Sequence, residues 1–153
     1  MKKLLLLLLV TLSSFTLTSQ GNDIKVIENK LRLHERLFIE KINEERVKRN
    51  LSPVVFNQGI YDTVSTPQAI YMAEVLNVVH TPNGVNSHCG ECVTGIFYED
   101  GLDISDEAIL NFRNSKDGHW NLLMSRHNEV MTVRMEYAIW NDNPIIYICV
   151  NHM

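Results

Sequence analysis

Long hydrophobic runs, basic charge and cysteine are all scarce in this chain of 153 residues. Its clearest apolar run, Leu4 to Leu12, is much shorter than the about 20 residues needed to span a bilayer. No longer run follows it, so a transmembrane segment is not expected. Lys and Arg number 14 against 18 Asp and Glu. The one basic-looking patch, "ERVKRN", alternates with acids and reads as a solvated helix face. Nucleic acid and anionic membranes are therefore poor partners, because binding either depends on clustered Lys and Arg. Three cysteines cannot make a zinc ribbon, which needs a second CxxC or paired ligands. Also missing are G-x-S-x-G, a phosphate-binding glycine loop, and a Ser-His-Asp arrangement with local support.

What is there is the composition of one soluble globular domain, 45% hydrophobic and 21% charged, without internal repeats. The first residues, "MKKLLLLLLVTLSSFTLTSQ", place two lysines before the apolar run and small or polar residues after it. That is the layout of a secretory signal peptide, so residues 1–20 are set apart and residues 24–153 are read as a single domain. The expected location is outside the cytoplasm, in a periplasm or the extracellular space. Removing residues 1–20 takes away two lysines and no acid, which makes the remainder more acidic still.

Residues 24–49 read as one long helix, with Ile27, Leu31, Phe38 and Ile42 at helical spacing and Asn50 as a left-handed stop. A second helix is expected from a Thr66 cap and Pro67 through "QAIYMAEVLNVV", ended by the loop at residues 82–84. "CVTGIF" is strand-like, and Ser105 is read as the cap of a third helix, "DEAILNFRN". "MTVRMEYAIW" alternates apolar and polar residues, "NDNP" is a turn, and "IIYICV" is an apolar run. Together they predict an antiparallel hairpin. Helices first and a hairpin last argue an α+β fold.

The stretch "VVHTPNGVNSHCGECV" concentrates two histidines, a glutamate and two cysteines. Cys89-Gly-Glu-Cys92 lacks the strand-then-helix setting of a thioredoxin-like site, and Glu91 opposes a thiolate by like charge. In an exported chain the default is a disulfide drawn from Cys89, Cys92 and Cys149, with the pairing undetermined and one thiol left over. His34-Glu35 resembles the start of a zinc-protease HExxH motif, but its second histidine position is Phe38. His34 is therefore read as a hydrogen-bonded residue at the core edge. His88 is read as an exposed loop residue, while His127 and His152 carry no motif.

"INEERVKRNLSPVVFN" resembles the opening of CAP-superfamily domains (cysteine-rich secretory, antigen 5, pathogenesis-related 1; SCP-like). These begin with a helix ending in Asn-x-x-Arg and a short link. Later features keep the family's order: His80-Thr81 after a helix, Gly90-Glu91 about ten residues on, then Phe112, Ser115 and His119 in "FRNSKDGHWNLL". The last segment is similar to the bacterial W-x-x-S-x-x-H-x-x-N pattern. Cys92 stands where the family has Asn. The spacing from Ser115 to His119 is one residue longer than the bacterial one, and from His119 to Asn121 one shorter. Ser115 also holds the position where many members carry a second glutamate.

The resemblance implies a CAP-like α-β-α sandwich with a small, three-stranded antiparallel sheet. It also implies a cleft in which His80, Glu91 and His119 converge, with His80 delivered at the end of the second helix. Two imidazoles and a carboxylate suit zinc or another divalent metal, and a metal-free hydrogen-bonded cluster is the alternative. The function implied is an exported, non-catalytic binding module for a lipid, glycan or protein ligand. The competing reading is a metal-assisted hydrolase, protease-like, using the same cleft. The absence of a nameable nucleophile and of the second acid favours binding over enzyme.

Overall fold

The computed structural model describes residues 2–82 and 89–153, with side chains from Lys25 onward. His88 and most of the loop expected at residues 82–84 lie outside the described residues. The chain divides into two compact units, Met1–Lys30 and Leu31–Met153. The first is wholly helical from Lys2, the opening stretch of helix α1 (Lys2–Lys48). The second holds the remainder of α1 and every other element. Among the described residues, no helix is long and apolar enough to cross a membrane.

After α1 come a short helix α2 (Gln58–Ile60), a π-helical turn (Tyr61–Ser65), α3 (Thr66–Val75) and strand β1 (Gly90–Phe97). Then follow α4 (Ile104–Asn114), α5 (His119–Leu123), β2 (Met131–Trp140) and β3 (Asn143–His152). The three strands form one antiparallel sheet in the order β1-β3-β2, so β1 and β2 are both edges. The expected hairpin is present, turning through Asn141 and Asp142, both at positive φ.

Directly opposed residues of an antiparallel pair share a face, and successive residues alternate. Val93, Cys149 and Tyr147 therefore share one face, where they pack with Ala69 and Met72 of α3. Cys92, Val150, Val133 and Met135 lie on the other, all buried. The second half of α1 and α4 supply the apolar cover there, with Leu31, Phe38, Ile42 and Phe112 essentially inaccessible. Phe38 and Phe112 meet edge to face with centroids 6.1 Å apart. Helices on both faces of a three-stranded antiparallel sheet make the α+β sandwich that the sequence predicts.

The C-terminal end of α1 is fastened by its Asn43-x-x-Arg46 element. Asn43 exchanges two hydrogen bonds with the backbone of Val54, at 3.0 and 2.8 Å. Arg46 is completely buried and donates to the carbonyls of Ser52, Leu123, Ser125 and Asn128 at 2.8–3.0 Å. Asn50 ends the helix at φ 58°, as the sequence suggests.

Three local expectations are corrected. Thr66 is not a cap, because α3 continues directly from the π-helical turn and Thr66 itself is in the right-handed helical region. The helix also stops early, at Val75, with Leu76 left-handed at φ 53°. Gln68 Nε2 donates to Val79 O at 2.5 Å and draws the connector back, and Gly95 leaves room for Val78 against β1. The cap of α4 is Asp103, whose carboxylate accepts from the N–H of Asp106 at 3.1 Å. Ser105 lies inside the helix and donates its hydroxyl to Asp103 at 2.5 Å.

Candidate functional site

Because α3 ends at Val75, His80 is not at a helix terminus but in the extended connector beyond it. Glu91, the second residue of β1, holds that connector. Its Oε1 accepts from His80 Nδ1 and from the N–H of Thr81, both at 2.9 Å. Its Oε2 accepts from the Thr81 hydroxyl at 2.5 Å and from the Cys149 thiol at 3.8 Å. The carboxylate is only 11% exposed, whereas the His80 side chain is 56% exposed. An ionised carboxylate only accepts, so Nδ1 carries the proton in this contact and the neutral ring keeps its lone pair on Nε2.

His119 begins α5, which follows the left-handed Gly118 at φ 77°. Its half-buried ring packs edge to face on Phe112 at 5.8 Å and lies 6.2 Å from the His80 ring, centroid to centroid. Burial, with some help from His80, lowers the His119 pKa, while Asp117 acts in the opposite direction. The neutral imidazole, the form that ligates metals, is thereby favoured. His80 is held by Glu91 of β1 and His119 by Phe112 of α4, and the two rings are neighbours. The one-residue shifts in spacing around His119 still leave its ring beside that of His80.

The three expected residues are thus neighbours, but not in equal roles. Glu91 spends its oxygens on His80, Thr81 and Cys149, and no group of three His, Cys, Asp or Glu among the described residues is arranged to hold a metal. Glu91 orients the His80 ring from behind, with the His119 imidazole beside it. Ser115 brings no acid to the site, and its hydroxyl accepts from the Asp117 N–H at 3.2 Å. Thr81, which completes the grip on Glu91, is the participant that sequence reasoning missed. Only its place beside His80 hinted at it.

The expected disulfide is not formed, and all three cysteines are free. The sheet register explains why. Cys149 pairs with Val93 and Cys92 with Val150, so the two buried thiols point to opposite faces. Cys89 and Cys92 lie three residues apart at the start of a strand, about 10 Å of extended chain. That exceeds the about 7 Å limit for a bridge. Burial, then Glu91, pushes the Cys92 thiol up to about 12. The same influences raise Cys149 well above its usual range, and burial raises Cys89. None is an activated nucleophile. The other histidines stand apart: His34 Nδ1 lies 3.5 Å from Asp103 at the core edge, as expected. His152 is buried, with Nδ1 3.1 Å from Asn128 Oδ1. His127 is exposed at the surface.

No family model matches the chain, and no curated protein matches it in sequence. Solved structures do. An outer surface protein from Borrelia burgdorferi is 18% identical, with a TM-score of 0.56 over 78% of this chain and 91% of that one. A cysteine-rich secretory protein from Staphylococcus aureus is 13% identical, with a TM-score of 0.50 over 79% of this chain. This chain spans only 38% of that protein's length. At such identities the likeness speaks for architecture, and the architecture is CAP-like: an α+β fold around a three-stranded antiparallel sheet.

Proposed function

We propose that this protein is an exported binding module whose ligand engages the His80–His119 cleft, with a divalent metal, zinc foremost, held by the two imidazoles. The observation that carries this reading is the backing of His80. Glu91 accepts its Nδ1 proton in a hydrogen bond and leaves Nε2 beside a second imidazole at the free edge of a strand. Such carboxylate–histidine pairs fix the ring and raise its basicity toward a metal. Zinc bound there would supply a Lewis-acidic position open to an anionic or carbonyl group of a lipid, glycan or protein ligand. A hydrolase reading fits less well, because no nucleophile with a poised base stands at the cleft among the described residues.

Export rests on residues 1–20, and the resemblance in fold to an outer surface protein and a cysteine-rich secretory protein agrees with it. The exported product should begin between Gln20 and Asn22. Intact mass showing Met1 retained on exported protein would overturn that part.

Calorimetric titration of the mature chain with zinc chloride tests the cleft. One ion should bind per chain, with affinity falling as pH drops, because protons compete for both imidazoles. His80→Ala and His119→Ala should each abolish binding, and Glu91→Gln should weaken it about 10- to 100-fold. Absence of binding near neutral pH in the wild type would make the trio a structural cluster.

A further inference from the structure

The opposite edge of the sheet carries a concave site, built from residues with no part in the His80–His119 pair. A 640 Å³ pocket lies beside β2, lined by Arg32, Arg36 and Ile39 of α1, by Phe56 and Tyr61, and by Val133. Its inner wall is a closed polar network. Glu35, 6% exposed, accepts from Arg32 Nη1 and from the N–H of Met135, the latter at 2.7 Å, through Oε1. Its Oε2 accepts from the Tyr61 hydroxyl at 3.0 Å. That hydroxyl in turn accepts from Arg32 and Arg134, both at 2.7 Å. Arg134 is neutralised by Glu136. Tyr61 opens the π-helical turn, a geometry frequent at functional sites.

Every charge in that wall is spoken for, so it sets the shape of the pocket and leaves recognition to the rim. There Arg36 stands one helical turn from Arg32, on the same face of α1, and pairs with no carboxylate among the described residues. Phe56, on the same lining, is 48% exposed, with its ring 5.4 Å from that of Tyr61 and tilted by 52°. Ile39 and Val133 complete an apolar surface. A free guanidinium fork lining the same pocket as an aromatic and aliphatic surface matches one kind of ligand: a single carboxylate on a flat apolar body. Glu40, also on the rim and one turn beyond Arg36, disfavours a second negative charge on that body.

We infer that this pocket binds small aromatic monocarboxylates, the carboxylate on Arg36 and the ring against Phe56 and Tyr61. Protein-observed NMR titration with 3-phenylpropionate tests this, alongside its neutral amide, the dianion phenylsuccinate, and decanoate as a purely alkyl monocarboxylate. Saturable shifts should centre on Ile39, Phe56 and Tyr61, with Kd below ~1 mM. Arg36→Gln, a surface change that leaves the fold intact, should weaken 3-phenylpropionate at least ~10-fold, the worth of a charge-assisted fork, and leave the amide unchanged. Phe56→Ala should weaken both. His80→Ala should bind as wild type, which separates this site from the zinc reading of the cleft. The inference is overturned if the amide or the dianion binds as well as 3-phenylpropionate, or if Arg36→Gln binds as wild type. It is overturned equally if decanoate binds more tightly than the aryl acid, if His80→Ala abolishes binding, or if no saturable shift reaches these residues.

Discussion

Gly90 stands opposite His152 in the antiparallel register, and the imidazole of His152 fills the space that a Cβ at position 90 would take. The absence of a side chain at the start of β1 therefore has a packing cause. It keeps the His152 ring beside Asn128 and lets Glu91, the next residue, enter the sheet in register.

Gly90→Ala should push the ring away and cost the Asn128 contact. The expected destabilisation is about 1–3 kcal/mol, as for overpacking elsewhere. Urea unfolding measures it, and an unchanged midpoint would show that the ring moves freely.

His152 also predicts a pH dependence. Burial lowers its pKa below the usual 6.5, so the folded chain resists a proton that the unfolded chain accepts. This residue's contribution to stability should be constant above that value and decline as pH falls below it. Comparing thermal unfolding of the wild type and His152→Gln between neutral and mildly acidic pH isolates the effect. The difference between the two proteins should shrink on the acid side.

Arg46 is the most consequential single side chain in the fold. It is wholly buried and satisfies four backbone carbonyls from two separate stretches of chain, at Ser52 and from Leu123 to Asn128. Arg46→Met keeps the bulk and strands those carbonyls, each at a cost of about 1–3 kcal/mol. A total loss above about 3 kcal/mol is expected in equilibrium unfolding. A loss below about 1 kcal/mol would mean that water replaces the guanidinium.

The thiols should react in two classes. Cys89 is half-buried, while Cys92 and Cys149 are closed off on opposite faces of the sheet. Ellman's reagent should label one thiol in the native protein and all three after denaturation. A mass two units low, with one thiol on denaturation, would reveal a bridge that this register forbids.

Much of this was legible in the sequence, for local reasons. The Met131–Trp140 and Asn143–His152 hairpin shows itself through alternation broken by Asn-Asp-Asn-Pro, and the end of α1 through Asn50. Caps were read less well at α4, because Asp103 and Ser105 both suit the position and only Asp103 is placed to reach the N–H of Asp106. The π-helical turn leaves no periodic signature, and its partners Glu35 and Arg134 are remote in sequence. Cysteine pairing failed for the same kind of reason, since the face on which Cys92 lies depends on a partner strand more than fifty residues away. The neighbourhood of His80, Glu91 and His119 was legible, while the division of contacts between Glu91 and the histidines was not. That division depends on where Thr81 and Cys149 arrive.

The strand order bears on how the contact between His80 and Glu91 forms. β2 and β3 meet across a two-residue turn, whereas β1 reaches β3 only after a loop running from Phe97 to Ile145 has closed. Closing a long loop costs more chain entropy than closing a tight turn, and contacts distant in sequence form slowly. Of the two edge strands, β1 is therefore expected to dock after β2 and to lift away more readily. Glu91 travels with it, and with Glu91 the grip on His80. Amide exchange should find the N–H groups of β1 less protected than those of β3, with the contact between His80 and Glu91 opening without global unfolding.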